Sequence, residues 1–390
     1  MPVFCVDPRV TKWGMETYDE IYPLAKDAQN PLVELLHCVS LKRKHEVRIE
    51  LKSPRESRLV RFILRYHESH RVDRLFVLYL QPSMQGPSTD DFVADDYHKG
   101  TGGKSQLPFW SSDARFNFQN VTLEQVAWQN QIHKLKLPSL SKAQAAGYNH
   151  AWFWQTAIVD CPKMLESFLE ELDESNDSND LGEVDLDVET GVYYQSQDEL
   201  FEEAKKLDCD AIVNCTGMGA SKLLGDSELN GARGVMLRYD RSSCNRLDYQ
   251  EDGPLAADTA IQQHDACFFV DDPPWADANL PIYKIIRGDD VIIGGTFLLG
   301  DTETEVRPHE RQRLLETARL VGIDTSTSQP KEEWVGFRPY REEIRCEIDS
   351  SDSATNDNDG IRLVHCYGSG GSGWTIYTGL SKEATRLVMQ

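Results

Sequence analysis

One stretch near the C-terminus restricts the fold more than any other. A short apolar run, Arg362–Cys366, leads into Tyr367-Gly-Ser-Gly-Gly-Ser-Gly373, and residues 375–389 then carry a helical pattern. Gly368, Gly370 and Gly373 satisfy G-x-G-x-x-G between a strand and a helix. Glycines let a backbone approach a ligand closely, and a helix start presents free N–H groups with partial positive charge. The unit therefore suits an anionic or polar cofactor. A complete dinucleotide fold needs another strand and an acid about twenty residues on, but this chain stops seventeen residues after Gly373. A plain glycine-rich turn is the alternative.

The rest of the chain supports an α/β class. Asp210–Asn214 and Asp290–Gly294 are further short apolar runs with the character of buried strands. Residues 12–26 and 162–173 are amphipathic, the second opening with Pro162 in its first turn. Thr122 caps a helix over 122–135, and residues 308–322 place Leu314, Leu315, Ala318 and Val321 on one face. Strands and helices interleave, as in α/β or mixed folds. Three segments break the pattern. Residues 42–74 hold eleven Lys and Arg against five acids and read as a solvated helical face or a loosely packed insert. Residues 82–105 are rich in turn formers. Residues 173–189 and 349–360 are acidic and turn-forming, and read as solvated insertions.

Composition excludes some partners. Forty-one basic against sixty-four acidic residues give a net charge of −23, which opposes binding to nucleic acid or an anionic membrane. No apolar run approaches a membrane span, and the first residues lack a signal-peptide core. Nine scattered cysteines without metal spacing read as reduced thiols of an intracellular protein, cytoplasmic or peroxisomal, although no peroxisomal tripeptide ends the chain. No metal site and no Ser-His-Asp arrangement emerges.

Three other constellations carry chemistry. Asn214-Cys-Thr216-Gly217 follows a strand, where α/β sheets place ligands. Gly336-Phe-Arg338-Pro-Tyr-Arg341 is a stiff cationic element suited to gripping a carboxylate. The plainer reading of its arginines is a salt bridge to Glu342 or Glu343. Tyr283, ahead of Arg287-Gly-Asp-Asp and Gly294-Gly-Thr296, is either a donor to a substrate oxygen or a tyrosine at the core edge.

In this order, NCTG, Tyr283 with RGDDVIIGGTF, GFRPYR and HCYGSGGSGWT resemble the FAD-dependent D-amino-acid oxidase and D-aspartate oxidase family. The resemblance covers about 147–390, and residues 11–24 resemble the first helix of that family's substrate domain. It implies a Rossmann-like FAD domain, incomplete here, interleaved with a mixed-sheet α+β substrate domain. Residues 1–146 and 229–341 would be mainly substrate domain, with 42–74 an atypical basic insert. Residues 147–228 and 342–390 would be FAD-domain segments. Arg341 would clamp the substrate carboxylate, Tyr283 would hydrogen-bond it, and the Gly371 carbonyl would accept from the amine. Thr216, Gly370, Gly371, Ser372, Gly373, Trp374 and Thr375 would line the FAD. The implied reaction turns a D-amino acid and O2 into a 2-oxo acid, ammonia and hydrogen peroxide, with hydride passing to flavin N5. No side chain need act as acid or base, because the cofactor carries the chemistry. A homodimer is compatible with this reading.

The pattern departs from the family in places. The family opens with a strand and glycine loop for the FAD pyrophosphate, whereas these first fourteen residues resemble a point well inside such proteins. Trp374 stands where a smaller aliphatic residue is usual, and Val235 stands for a usual Gln. The choice between neutral and acidic substrates stays open. The alternative is a catalytically inactive, truncated remnant acting as a binding protein, or an incomplete gene product.

Overall fold

The computed structural model describes residues 7, 9–42, 58–67, 74–81, 107–133, 135, 140–145, 148–175, 183–242, 265–270, 281–321, 323, 325–349 and 360–390. In chain order its regular elements are α1 (Arg9–Lys26), β1 (Val33–Lys42), β2 (Arg58–His67), β3 (Arg74–Gln81), β4 (Gln119–Thr122), α2 (Leu123–His133), α3 (Leu140–Ala145), β5 (His150–Val159), α4 (Cys161–Ser175), β6 (Glu183–Val192) and α5 (Gln197–Lys206). They continue with β7 (Ala211–Cys215), α6 (Gly219–Leu224), β8 (Asn230–Asp240), β9 (Ala266–Val270), β10 (Ile282–Arg287), β11 (Asp290–Gly294), β12 (Leu298–Leu299), α7 (Pro308–Leu320), β13 (Glu332–Ile348), β14 (Arg362–Ser369) and α8 (Gly373–Val388).

The strands share one mixed sheet in the order β4-β5-β1-β9-β10-β11-β8-β13-β14-β7-β3-β2-β6, with β12 beside β8. At one end the ladders are mostly antiparallel. At the other, β14, β7 and β3 run parallel, with Phe76, Ile212 and Leu363 in register. Strand β13 joins the two: Glu332–Tyr340 pairs with β8, and Tyr340–Ile348 pairs with β14.

Strands β7 and β14 are covered on both faces, which is why their sequences read as unbroken apolar runs. Ala211, Val213 and Val364 pack with Val10 and Trp13 of α1 and with Ile376, Leu380 and Leu387 of α8. Ile212 and Leu363, one residue out of phase, pack instead with Leu200, Phe201 and Ala204 of α5 and Leu223 of α6. The antiparallel part has its own core, in which Tyr18, Val39, Phe153, Leu237 and Val291 meet Leu314 and Ala318 of α7.

Most expected elements are present. Helix α2 opens with a reciprocal cap: the Gln125 backbone N–H donates to Thr122 Oγ1 (3.3 Å) and the Thr122 N–H to Gln125 Oε1 (2.8 Å). Two expectations are corrected. The basic segment contributes strands, not a helical face, at 58–67 and 74–81. The acidic segment contributes strand β6 over 183–192 rather than a loop. The reason lies in their pairing. Val184, Leu186 and Val188 alternate with Asp185, Asp187 and Glu189, and the β2–β6 register sets Arg65 opposite Asp185 and Arg61 opposite Glu189. Neither charge pattern means much until the other strand is beside it. Segments 82–105 (save its neighbours), 176–182 and 350–359 lie outside the described residues.

Among the described residues no helix is long and apolar enough to cross a membrane. Cysteines 38, 161, 209, 215, 267, 346 and 366 are free thiols.

Helix α8 is held at two points. Its N-terminus follows β14 after the short turn Gly370–Ser372, and its middle crosses α1 at Gly379. The buried Thr17 Oγ1 accepts from the Thr378 backbone N–H (3.2 Å) and donates to the Trp13 carbonyl (2.8 Å). A methyl group at Gly379 would overlap the Trp13 backbone, coming within 2.7 Å of its carbonyl oxygen. Gly379→Ala is expected to lower stability by about 1–3 kcal/mol through overpacking, although alanine is the better helix former. Chemical denaturation checks this; an unchanged midpoint would contradict the close crossing.

Candidate functional site

The three parallel strands end together. Beyond β7 the chain runs through Thr216-Gly217 into α6, and beyond β14 it turns at Gly370–Ser372 into α8. Ligands of open α/β sheets bind at this carboxyl edge. Two glycines make the second turn possible: Gly368 and Gly370 have φ of 93° and 55°, a region costly for side-chain-bearing residues. Ser372 precedes α8 but makes no side-chain capping bond, so the first-turn N–H groups receive no acceptor from their own cap. Expected cofactor residues Gly370, Gly371, Ser372 and Gly373 thus form one turn at the edge. Thr375 lies in the first helical turn. The Trp374 ring turns away toward α4, stacking on Phe168 (22° between planes) and meeting Tyr377 edge-on.

Thr216 belongs to a buried polar chain. Its N–H and hydroxyl both donate to Asn214 Oδ1, at 3.1 and 2.7 Å. The Asn214 Nδ2 must then face His365 Nδ1, 3.2 Å away. Nδ1 accepts, so the ring proton sits on Nε2 and is donated to Asp349 Oδ2 at 2.6 Å. Asn214, Thr216 and His365 are fully buried. Burial pushes the His365 pKa below its usual range, and the Asp349 contact opposes this without reversing it. Thr216 therefore has no exposed surface and donates its hydroxyl proton inside the protein, at the turn that follows β7.

The second group assembles around Gly294–Thr296. Tyr283 pairs with Gly294 across β10 and β11, and its ring occupies the space where Cβ atoms of Gly294 and Gly295 would stand. The next carbonyl, of Thr296, accepts from Arg338 Nη1 at 3.1 Å. The Arg338 side chain runs past Gly371, whose Cβ would come 3.2 Å from its Cδ, and its guanidinium uses the room left by Gly234. No carboxylate among the described residues is paired with it; a backbone carbonyl orients it without neutralising it.

Arg341 is placed differently. Its Nε donates to Asp226 (3.2 Å), its Nη2 pairs with Glu228 (2.6 Å), and its Nη1 donates to the Glu343 carbonyl (2.8 Å). The expectation of a clamp at Arg341 beside Tyr283 and Gly371 thus meets a guanidinium already satisfied by the protein's own carboxylates. The structure sets Arg338, not Arg341, along Gly371, while Tyr283 stands against Gly294 and Gly295, next in the chain to the Thr296 whose carbonyl Arg338 bonds. Sequence reasoning quoted Arg338 within the motif but gave the role to its neighbour, because spacing alone cannot say which arginine faces the glycine turn. It missed Asp226 entirely, since an acid in an acidic chain gives no signal.

A glycine turn, an uncapped helix start and parallel strand ends define an α/β protein fitted to take an anionic cofactor at one sheet edge. A family model described as FAD dependent oxidoreductase matches residues 114–387, and the chain belongs to this DAO family. Among curated proteins it is 27% identical to D-aspartate oxidase 2 of Caenorhabditis elegans, over 46% of this chain and 45% of that protein. It is 25% identical to a D-amino-acid oxidase of Streptomyces coelicolor, over 65% of each. The chain thus spans about half to two thirds of the length of these relatives. Among solved structures, a glycine oxidase from Bacillus cereus aligns with a TM-score of 0.43 and 14% identity, over 72% of this chain and 66% of that one.

The His365 arrangement gives a pH dependence with a definite sign. The unfolded chain takes up a proton near pH 6.5, whereas the folded chain resists it to lower pH. The neutral ring's contribution is therefore complete above the unfolded pKa and is lost as pH falls below it. Denaturation of wild type and His365→Gln at pH 8 and pH 5 tests this. The wild-type advantage is expected to shrink toward acid; an advantage that grows would contradict the neutral assignment.

Proposed function

We propose that this chain binds FAD and oxidises D-amino acids: amino acid, O2 and water give 2-oxo acid, ammonia and hydrogen peroxide. The single observation carrying the reading is that the Arg338 side chain, which has no carboxylate partner among the described residues, lies along the Gly371 turn. The residues fit the flavin end of such a cofactor. Gly370–Gly373 offer backbone and no side-chain bulk, and the α8 start favours negative charge. When bound, FAD supplies the two-electron acceptor for the substrate's Cα–H and returns the electrons to oxygen.

The protein's own part is orientation. Arg338, fixed through Nη1 by the Thr296 carbonyl, has donors left for a substrate carboxylate. The Tyr283 hydroxyl donates to the same group. The Gly371 carbonyl accepts from the amine, so the two substrate ends are gripped from opposite sides and the Cα–H is aimed. Holding reactants in one geometry contributes much of the rate in such a reaction, and no side chain is assigned as acid or base. The carboxylate receptor moves from Arg341 to Arg338, because a substrate reaching Arg341 would have to displace Asp226 and Glu228.

Two variants separate the arginines. Arg338→Met is expected to raise KM for D-amino acids by on the order of a hundredfold, as for loss of a buried charged contact, with flavin absorbance retained. Arg341→Met is expected to act more weakly. The reverse ranking would return the clamp to Arg341. A purified chain that is colourless and releases no flavin on denaturation would favour the inactive remnant.

A further inference from the structure

The place of Arg338 depends on an irregularity in β13. From Tyr340 to Arg345 the strand advances five residues while its partner β14 retreats only two, from Ser369 to Tyr367. The surplus residues bulge out of the ladder. Immediately before the bulge lie the contacts that make the site. Arg338 lies along Gly371, Pro339 lies 3.5 Å from where a Gly217 Cβ would stand, and Tyr340 packs under Gly370. A change in the bulge would shift all three. Bulges leave backbone groups unpaired and bend the strand, so their shape has to be fixed by something outside the ladder.

Arg9 supplies one restraint, donating to the Ile344 and Cys346 carbonyls, and Asp226 supplies another, on the side of the arginines. Asp226 is the one that ties the two arginines of the bulge together. It follows Gly225, which ends α6 with φ of 67°. Its Oδ2 accepts from Arg341 Nε (3.2 Å), at the start of the bulge, and from the Tyr367 hydroxyl (2.8 Å). Tyr367 in turn accepts from Arg345 Nη1 (2.9 Å), at the end of the bulge. Its Oδ1 accepts from the Glu228 N–H (3.0 Å), which stiffens the loop that delivers it. The side chain is 5% exposed. Burial alone would raise its pKa, but the bonds from Tyr367 and Arg341 prevail and hold it ionised below the usual carboxylate range. One carboxylate therefore grips both ends of the bulge, directly at Arg341 and through Tyr367 at Arg345.

We propose that Asp226 is a positioning residue for substrate binding: by pinning the β13 bulge it sets where Arg338 meets the glycine turn. This rests on the amino-acid-oxidase reading above, with Arg338 as carboxylate receptor. Asp226 itself touches no substrate.

The test compares Asp226→Ala and Asp226→Asn with Val126→Ala, a destabilised variant in the separate core of the antiparallel part. Asp226→Ala is expected to raise KM for a D-amino acid about tenfold, within the reach of an ångström-scale misplacement, while kcat falls less than KM rises. Asp226→Asn keeps one acceptor oxygen and should fall between. Hydrogen exchange should quicken across 336–345 in Asp226→Ala and not in Val126→Ala. A KM within twofold of wild type despite lower stability, or an equal rise in Val126→Ala, would overturn the proposal. Should Asp226→Ala fail to fold, the same readings on Asp226→Asn decide. Should the wild type turn over no D-amino acid, the oxidase reading fails separately, and exchange across 336–345 alone judges the restraint: unchanged protection refutes it.

Discussion

The pairing of β13 with two different neighbours joins the molecule's two architectures. Its first stretch lies in an antiparallel ladder with β8, and its second lies beside the parallel strands that carry the glycine turn. Each architecture places chemistry on its own side. The antiparallel side brings Tyr283 and the Thr296 carbonyl, and the parallel side brings Gly370–Gly373 and the start of α8. Arg338 reaches both because β13 crosses between them. Proline at 339 suits this position, since it removes a backbone donor where the pairing is about to break down.

Charge is handled with similar economy. Arg233 is fully buried, yet its guanidinium pairs with Glu310 of α7 (2.5 Å) and donates to the carbonyls of Glu303 and Glu305. That arrangement docks α7 and the loop before it against β8. Such buried pairs add little net stability compared with an apolar core, because both ions lose hydration, but breaking one is costly. The same logic applies where Asn214 of β7, His365 of β14 and Asp349, just past β13, form a buried hydrogen-bonded row. Arg338, by contrast, has no carboxylate partner among the described residues and is held by a neutral carbonyl.

Much of this was legible in the chain. Ala211–Cys215, Asp290–Gly294 and Arg362–Ser369 announce themselves as apolar runs, and α1, α4, α7 and α8 as amphipathic periods, because burial on one or both faces writes itself into local sequence. What was illegible depends on distant partners. The basic residues of β2 fall at spacings that suit a helix, and only β6 in antiparallel register turns them into a strand. Asp187 and Glu189 look like solvent residues until that partner is present. In the site, the choice between Arg338 and Arg341 hinges on a bulge in β13 that is defined only once β14 is paired beside it. Asp226 matters because of Tyr367 and Arg341, both more than a hundred positions away. Trp374, adjacent to the glycines in sequence, turns to Phe168 because α4 passes there.

The in-register alignment of Phe76, Ile212 and Leu363 has a temporal consequence. Three neighbouring strands come from the first fifth, the middle and the last tenth of the chain, so their assembly requires closing very long loops before any pairing rewards it. The sheet edge that carries Thr216 and the glycine turn is therefore among the last features to form. During synthesis it cannot exist until Arg362–Val388 has left the ribosome. Helix α1 must wait for α8, 361 positions later, before the Thr17 hydroxyl meets the Thr378 N–H. Until then the face that carries Val10 and Trp13 has no cover from that side of the sheet.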